Sequence, residues 1–176
     1  MPKIDNVLNQ DLPMRVRSNH ALEHATLHVL QEKGIKTQLG GISDVGGFWI
    51  YGEASTEIVL LAAQEALTRL AGGENELAVH PNCGTNIAVG SLAAGGLAWI
   101  GMLGTRGRLS RKLRRLPLAV LLGLIGYQIA RPLGPKLQKQ ITTNADVKGL
   151  EIAEVVKQDL FGRTVHRVST RLVKQS

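Results

Sequence analysis

The residues best suited to chemistry are three histidines and a glutamate near the start of the chain: His20, Glu23, His24 and His28. On a helix of about 3.6 residues per turn, all four fall within one sector of about 140°. Side chains four residues apart lie roughly one turn apart, so two imidazoles can bind the same metal ion. The spacing therefore predicts a helix with a metal-binding face.

The helix that positions these residues is predicted over 18–34. Ser18 or Asn19 can cap its first turn, and Gly34 can end its last turn. Apolar residues fall on the opposite side and are expected to pack on a core: Leu22, Ala25, Val29 and Leu30.

The string His20-x-x-Glu23-His24 resembles the inverted zinc-protease motif, His-x-x-Glu-His. In that motif two histidines bind zinc and the glutamate is the general base. The resemblance implies zinc or a similar divalent metal on His20 and His24, with Glu23 as the catalytic base if the protein is a hydrolase. The alternative is a helix whose histidines face solvent or join a buried hydrogen-bond network.

Further candidate metal ligands lie elsewhere in the chain. The segment 76–83 is predicted to be a short strand that ends in a turn presenting His80 and Cys83, which are both competent zinc ligands. His28 and His166 are additional candidates, and His166 lies on the inward face of the predicted last strand. A single cysteine excludes an internal disulfide framework.

Charge is distributed unevenly along the 176 residues. Residues 1–82 hold six Lys/Arg against ten Asp/Glu, residues 83–130 hold six against none, and residues 131–176 hold nine against four, so the net charges are −4, +6 and +5. We expect one domain whose two parts are 1–82 and 132–176, with a transmembrane hairpin at 83–131 between them.

Two apolar runs predict that hairpin and a two-pass protein of the cell membrane. The first run, 86–104, contains no charged residue and is long enough to cross a bilayer core. The second run, 116–130, is shorter and would place Pro117 in its first helical turn.

The hairpin offers two surfaces to partners. Small residues four apart, Ser91 with Gly95 and Gly90 with Ala94, are typical of close helix contacts with a second copy or another membrane protein. The loop 105–115 holds six Lys/Arg and no acidic residue. Between two apolar runs, such a loop is expected to contact anionic lipid and not nucleic acid.

Periodicity and turn residues predict an α+β fold in the order α-β-β-α-β, the hairpin, and then β-α-β. The elements outside the hairpin are the helix 18–34, strands 35–42 and 48–51, helix 55–71, the strand within 76–83, strand 140–143, helix 145–161 and strand 164–173. The hairpin is therefore expected to be inserted within a small mixed domain.

The whole pattern is similar to a family of small bacterial membrane proteins of unknown function. The similarity comprises the run HALEHATLHVLQEKG, a Gly-rich hairpin, the turn HPNCGTN and two apolar segments. It implies a membrane protein but no activity, cofactor or catalytic residue. Two functions remain open, a membrane binding or assembly factor and a membrane-embedded zinc-dependent hydrolase, and they differ in the role of Glu23.

Overall fold

The computed structural model describes residue 8 and residues 10–35, 37–105, 109–160 and 162–173. Residues 1–7, 9 and 174–176, residue 36 of the predicted strand 35–42, residues 106–108 of the basic loop and residue 161 of the predicted last helix lie outside this part of the chain. The described residues form a mixed α+β structure with five α-helices and an antiparallel sheet of four strands. The chain divides into two compact units, which are Met1–His80 with Gln138–Ser176, and Pro81–Leu137.

Helix α1 (Asp11–Glu32) is the central helix of the first unit. It begins earlier than predicted because Pro13 lies in its first turn, where backbone N–H groups have no partner within the helix. Ser18 and Asn19 are consequently buried inside the helix and do not cap it. Gly34 follows the helix end, as predicted, with a φ of 85°.

Strands β1 (Gly40–Asp44) and β2 (Gly47–Tyr51) form the predicted antiparallel hairpin, although β1 begins later than expected. Helix α2 (Thr56–Ala71) also matches its prediction. Its N-cap is Ser55, whose hydroxyl accepts a hydrogen bond from the Ile58 N–H at 3.3 Å.

The last two strands, β3 (Leu150–Leu160) and β4 (Arg163–Leu172), complete a sheet with the order β1-β2-β4-β3. The predicted final strand is confirmed as β4, but the helix predicted at 145–161 is wrong. Gly149 has a φ of 74° and turns the chain into β3, which pairs with β4 over its length. Because β3 is an exposed edge strand, its sequence lacks the alternation that marks a half-buried strand.

Two other predicted strands are also wrong. The segment expected to be a strand within 76–83 instead contains a 3₁₀ turn, Asn75–Ala78. The strand expected at 140–143 is replaced by a single π-helical turn, Gln138–Thr142. Neither segment pairs with the four-stranded sheet, and both instead place backbone carbonyl groups beside α1.

Helices α1 and α2 pack together and on the sheet to form one apolar core. Its fully buried members include Leu22, Ala25 and Val29 from α1, Val59, Ala63 and Ala66 from α2, and Phe48, Ile50 and Val168 from the sheet. Helix α1 is buried on most of its surface. The predicted apolar stripe would have buried only one side of the helix.

The second unit contains α3 (Gly84–Met102), α4 (Leu109–Ala130) and the short α5 (Leu133–Leu137). Helices α3 and α4 are each long and apolar enough to cross a membrane, with mean hydropathies of 1.2 and 1.3 over their most apolar stretches. Only 11% and 22% of those stretches are buried within the protein. Helix α4 includes residues of the predicted basic loop, so Pro117 lies inside the helix and not in its first turn.

Glycines bring α3 and α4 close together. A Cβ added at Gly126 would lie 2.5 Å from the carbonyl oxygen of Ala93, and one added at Gly101 would lie 3.0 Å from the Cα of Ala119. Gly90 faces the ring of Tyr127. A Cβ added at Gly95 would meet no described atom within 4 Å, so this glycine takes no part in the contact between α3 and α4.

Candidate metal centre

The central feature of the first unit is a group of imidazole rings beside α1. His20 and His24 lie on successive turns, with ring centroids 4.3 Å apart. One ligand nitrogen of each ring lies within 4.8 Å of the other. Two imidazole nitrogens at this separation can bind one ion with small adjustments of the side chains.

His80 joins this group from the segment that follows α2. Its ring centroid lies 5.7 Å from that of His24 and 4.8 Å from that of His28. Four of the five histidines therefore form a continuous group, which we call the histidine row: His20, His24, His80 and His28.

Backbone carbonyl groups fix the orientation of three rings in the row. The Nδ1 atom of His20 lies 2.9 Å from the Thr142 carbonyl oxygen, and that of His24 lies 2.8 Å from the Ala78 carbonyl oxygen. The Nε2 atom of His28 lies 2.9 Å from the Val79 carbonyl oxygen.

A carbonyl oxygen can only accept a hydrogen bond, so the nitrogen facing it must carry the proton. In the neutral rings of His20 and His24, the lone pair is therefore on Nε2, whereas in His28 it is on Nδ1. Metal-binding histidines usually donate their other ring N–H to a carbonyl or carboxylate in this way. The non-strand segments near residues 78 and 142 thus supply the contacts that fix two candidate ligands.

Gln138 holds the backbone of His80 in place. The Gln138 side chain is fully buried; its Oε1 accepts from the His80 N–H at 2.9 Å, and its Nε2–H donates to the His80 carbonyl at 3.1 Å. Sequence analysis missed this residue because an isolated glutamine carries no spacing signal. Its partner lies 58 positions away in the chain.

The environment of His80 favours a neutral ring. His80 is only 3% exposed, and burial lowers its pKa to about 4, with His28 and then His24 acting in the same direction. A neutral imidazole keeps a lone pair for a metal, so this residue is a competent ligand at neutral pH.

Glu23 contacts the first strand of the sheet. It is 3% exposed, and its carboxylate accepts a hydrogen bond from the Ser43 hydroxyl in β1. A side chain at Gly41 would overlap it. Glu23 therefore lies beneath the β-hairpin, whereas the carbonyl groups that orient the row come from the segments near residues 78 and 142.

The other two predicted ligands, Cys83 and His166, are carried by other elements of the fold. Cys83 belongs to the second unit, where it is the N-cap residue of α3 and its sulfur accepts from the Thr85 N–H at 3.5 Å. His166 is buried on β4, with its Nε2 3.3 Å from the Thr56 hydroxyl. Burial and the nearby charge of Lys157 lower the pKa of His166.

The chemistry available to the histidine row is that of an imidazole-rich site. Neutral imidazoles suit zinc, copper, iron and nickel ions better than calcium or magnesium, which prefer oxygen ligands. The donor set of the histidine row therefore fits a transition metal, and the two carbonyl-oriented rings of His20 and His24 are its best-defined part.

Comparison with known proteins supplies a family but no activity. The profile of a family described as a domain of unknown function, DUF6391, matches residues 15–155, which include the histidine row, the β-hairpin and both apolar helices. An uncharacterised protein of Picosynechococcus sp. is 35% identical over 175 residues, covering 89% of this chain and 79% of that protein. No solved structure is significantly similar to the chain. The family profile matches well over half of this chain, and the protein therefore belongs to the DUF6391 family.

Proposed function

We propose that this protein is a two-pass membrane protein that binds zinc or a similar divalent transition metal and acts as a binding or assembly factor. The observation that carries the proposal is the orientation of His20 and His24. Both rings donate Nδ1–H to a backbone carbonyl, and both therefore offer an Nε2 lone pair on the same side of α1.

His80 and Cys83 are the proposed additional ligands. His80 is in ring contact with His24 and is held neutral by burial. Cys83 follows His80 by three residues, so chain length alone keeps their Cα atoms within roughly 11 Å. The N-terminus of α3 also favours the anionic thiolate that binds metal. His28, whose ring contacts His80, is a candidate of lower priority, and His166, which lies on β4 beside Thr56, is the weakest.

The membrane part of the proposal is supported by the exposed apolar surface of α3 and α4. Large side chains such as Leu92, Trp99, Leu124 and Ile129 are more than half exposed. In water this surface would be costly, whereas in a bilayer it contacts lipid chains. The length and apolar composition of both helices suit a bilayer core.

Metal analysis of the purified full-length protein tests the central claim. We expect a stoichiometric transition metal that is lost from His20→Ala/His24→Ala, while the protein remains folded by circular dichroism. The matched control is His166→Gln, which removes a buried histidine outside the row and should retain the metal. A folded wild-type protein that binds no added zinc, copper, iron, cobalt or nickel would overturn the proposal.

Alkaline carbonate extraction tests the membrane claim separately. The intact chain should stay in the membrane pellet, because two spanning helices are held by the hydrophobic effect and not by charge. Deletion of residues 84–131 should move the remaining protein to the supernatant. Recovery of the intact chain in the supernatant would exclude a spanning hairpin without bearing on metal binding.

A zinc-dependent hydrolase is the second candidate, because α1 carries His20, Glu23 and His24 with the His-x-x-Glu-His spacing. In that role Glu23 would take a proton from a metal-activated water. Glu23→Gln should then abolish turnover of a peptide substrate and leave the metal content unchanged. A binding or assembly factor would show no turnover in either form.

A further inference from the structure

A concave surface of about 340 Å³ lies where α4 begins and the turn after α3 ends. Its lining consists of Gly104, Thr105, Arg111, Arg114 and Arg115. The three arginines stand at positions i, i+3 and i+4, so they occupy one side of the first two turns of α4. We call this surface the arginine cleft.

Within the part of the chain that the structure describes, the three guanidinium groups have no acidic partner. Among the described residues, none of them forms a hydrogen bond or salt bridge, and no Asp or Glu occurs anywhere from residue 77 to residue 145. Three adjacent like charges repel one another unless an anion lies between them. The cleft therefore fits an anion supplied by another molecule.

The chemistry of the cleft favours a phosphate group. The guanidinium fork donates two parallel hydrogen bonds to a phosphate or carboxylate, which a lysine cannot do. Thr105 already donates its hydroxyl proton to the Met102 carbonyl at 2.6 Å, so donors to the anion must come from the arginines. The lining contains no aromatic side chain for base stacking, which argues against single-stranded nucleic acid.

The surroundings of the cleft favour a lipid as the source of that phosphate. Exposed leucines alternate with the arginines on the same turns of α4, with Leu109, Leu113 and Leu116 each at least half exposed. A surface that combines arginines with exposed leucines is typical of the boundary between lipid headgroups and acyl chains. The cleft also lies at the ends of the two apolar helices, where a spanning hairpin would meet the headgroups.

From these features we propose that Arg111, Arg114 and Arg115 form a binding site for the phosphate of an anionic phospholipid headgroup. This inference rests on the proposed membrane hairpin, but it does not depend on the metal site. It predicts selective retention of anionic lipid at one position, beyond the general attraction of a basic loop to a negative surface.

The test uses the full-length protein in lipid nanodiscs of phosphatidylcholine with a minority of phosphatidylglycerol. Native mass spectrometry of the released protein counts the lipids that remain bound. We expect the ratio of bound phosphatidylglycerol to bound phosphatidylcholine to exceed the bulk ratio by at least tenfold, which corresponds to about 1.4 kcal/mol for the three arginines together. In Arg111→Gln/Arg114→Gln/Arg115→Gln the fraction should return to the bulk value.

A matched control removes the same charge from outside the cleft. Lys112→Gln/Arg131→Gln/Lys136→Gln changes three cationic residues that do not line it and should keep the enrichment. Equal loss in both triple variants would show a diffuse charge effect and overturn the site. Displacement of the lipid by millimolar inorganic phosphate would likewise overturn the lipid assignment in favour of a soluble anion.

Incorporation into the nanodiscs separates this inference from the membrane proposal. Protein that enters discs of pure phosphatidylcholine but shows no preference for phosphatidylglycerol would contradict the headgroup site alone. Protein that enters neither kind of disc would contradict the spanning hairpin and, with it, the headgroup site.

Discussion

The carboxylate of Glu23 accepts a hydrogen bond from the hydroxyl of Ser43, and this contact joins the buried side of α1 to the first strand of the sheet. A buried carboxylate is costly unless donors surround it. Gly41 lies on the same strand, and the absence of a side chain there gives the carboxylate its room. The glycine at position 41 is thus explained by the glutamate of the histidine motif.

Removal of the Ser43 hydroxyl should destabilise the protein. Ser43→Ala takes one donor from a buried charge, so we expect the free energy of unfolding to fall by about 1–3 kcal/mol. Ser43→Thr is the matched control, since it keeps a hydroxyl at the same position. Chemical denaturation in detergent micelles measures both, and equal stability of Ser43→Ala and wild type would show that this hydrogen bond makes no net contribution.

A methyl group at Gly41 should destabilise the protein through Glu23. The added Cβ would overlap the Glu23 side chain, whereas a Cβ at Gly40 would meet no described atom within 4 Å. We therefore expect Gly41→Ala to cost about 1–3 kcal/mol and Gly40→Ala to be close to neutral. The cost at Gly41 should shrink in a Glu23→Ala background, because the two residues are in contact. An unchanged cost there would place the strain elsewhere.

Nitrogen-15 NMR of the histidine rings tests how the site is oriented. In metal-free protein near neutral pH, His20 and His24 should be Nδ1–H tautomers and His28 an Nε2–H tautomer, because these atoms face carbonyl oxygens. Single His→Gln variants would assign the signals. An Nε2–H tautomer at His20 and His24 would turn their lone pairs toward the carbonyls and contradict the ligand assignment.

The elements that were predicted correctly are those whose periodicity and end signals lie within a few neighbouring residues of the sequence. The histidine helix, the β-hairpin, helix α2 and the two long apolar helices each carry a periodic signal and recognisable turn residues, such as Gly34 after α1 and Ser55 before α2. The spacing of His20, His24 and His28 also indicated that they share one side of a helix.

The parts that sequence analysis missed depend on contacts between distant segments. Strand β3 exists because β4 pairs with it, and its exposed residues resemble those of a surface helix. The contacts of His20 with the Thr142 carbonyl and of His80 with Gln138 form only when the chain returns to the first unit after residue 137. The contact of His24 with the Ala78 carbonyl likewise joins residues 54 positions apart. Asn19 is a similar case: it holds the carbonyl groups of Asp44 and Val45 in the β1–β2 turn, a role that its place in a helix does not predict.

Acid should destabilise the metal-free protein through His80. Its pKa is about 4 in the folded state and about 6.5 when unfolded, so only the unfolded state gains this proton between those values. The contribution to stability is complete above pH 6.5 and is lost as the pH falls toward 4, by up to about 3 kcal/mol. The free energy of unfolding of wild type should therefore fall more steeply over that range than that of His80→Gln. Parallel curves would show that His80 does not resist protonation.

The close approach of α3 and α4 should depend on Gly126 and not on Gly95. A Cβ at Gly126 would lie 2.5 Å from the Ala93 carbonyl oxygen, and because that oxygen belongs to the backbone, the helices must separate to admit it. Alanine otherwise favours a helix by roughly 0.5–1 kcal/mol relative to glycine, so Gly95→Ala should be neutral or slightly stabilising.

For Gly126→Ala we expect that gain to be outweighed by an overpacking cost of about 1–3 kcal/mol. The resistance of the two variants to unfolding by sodium dodecyl sulfate in mixed micelles is measured by circular dichroism. This detergent separates packed helices before it unfolds the individual helices. A Gly126→Ala protein as resistant as Gly95→Ala would mean that the two helices do not approach each other through this glycine.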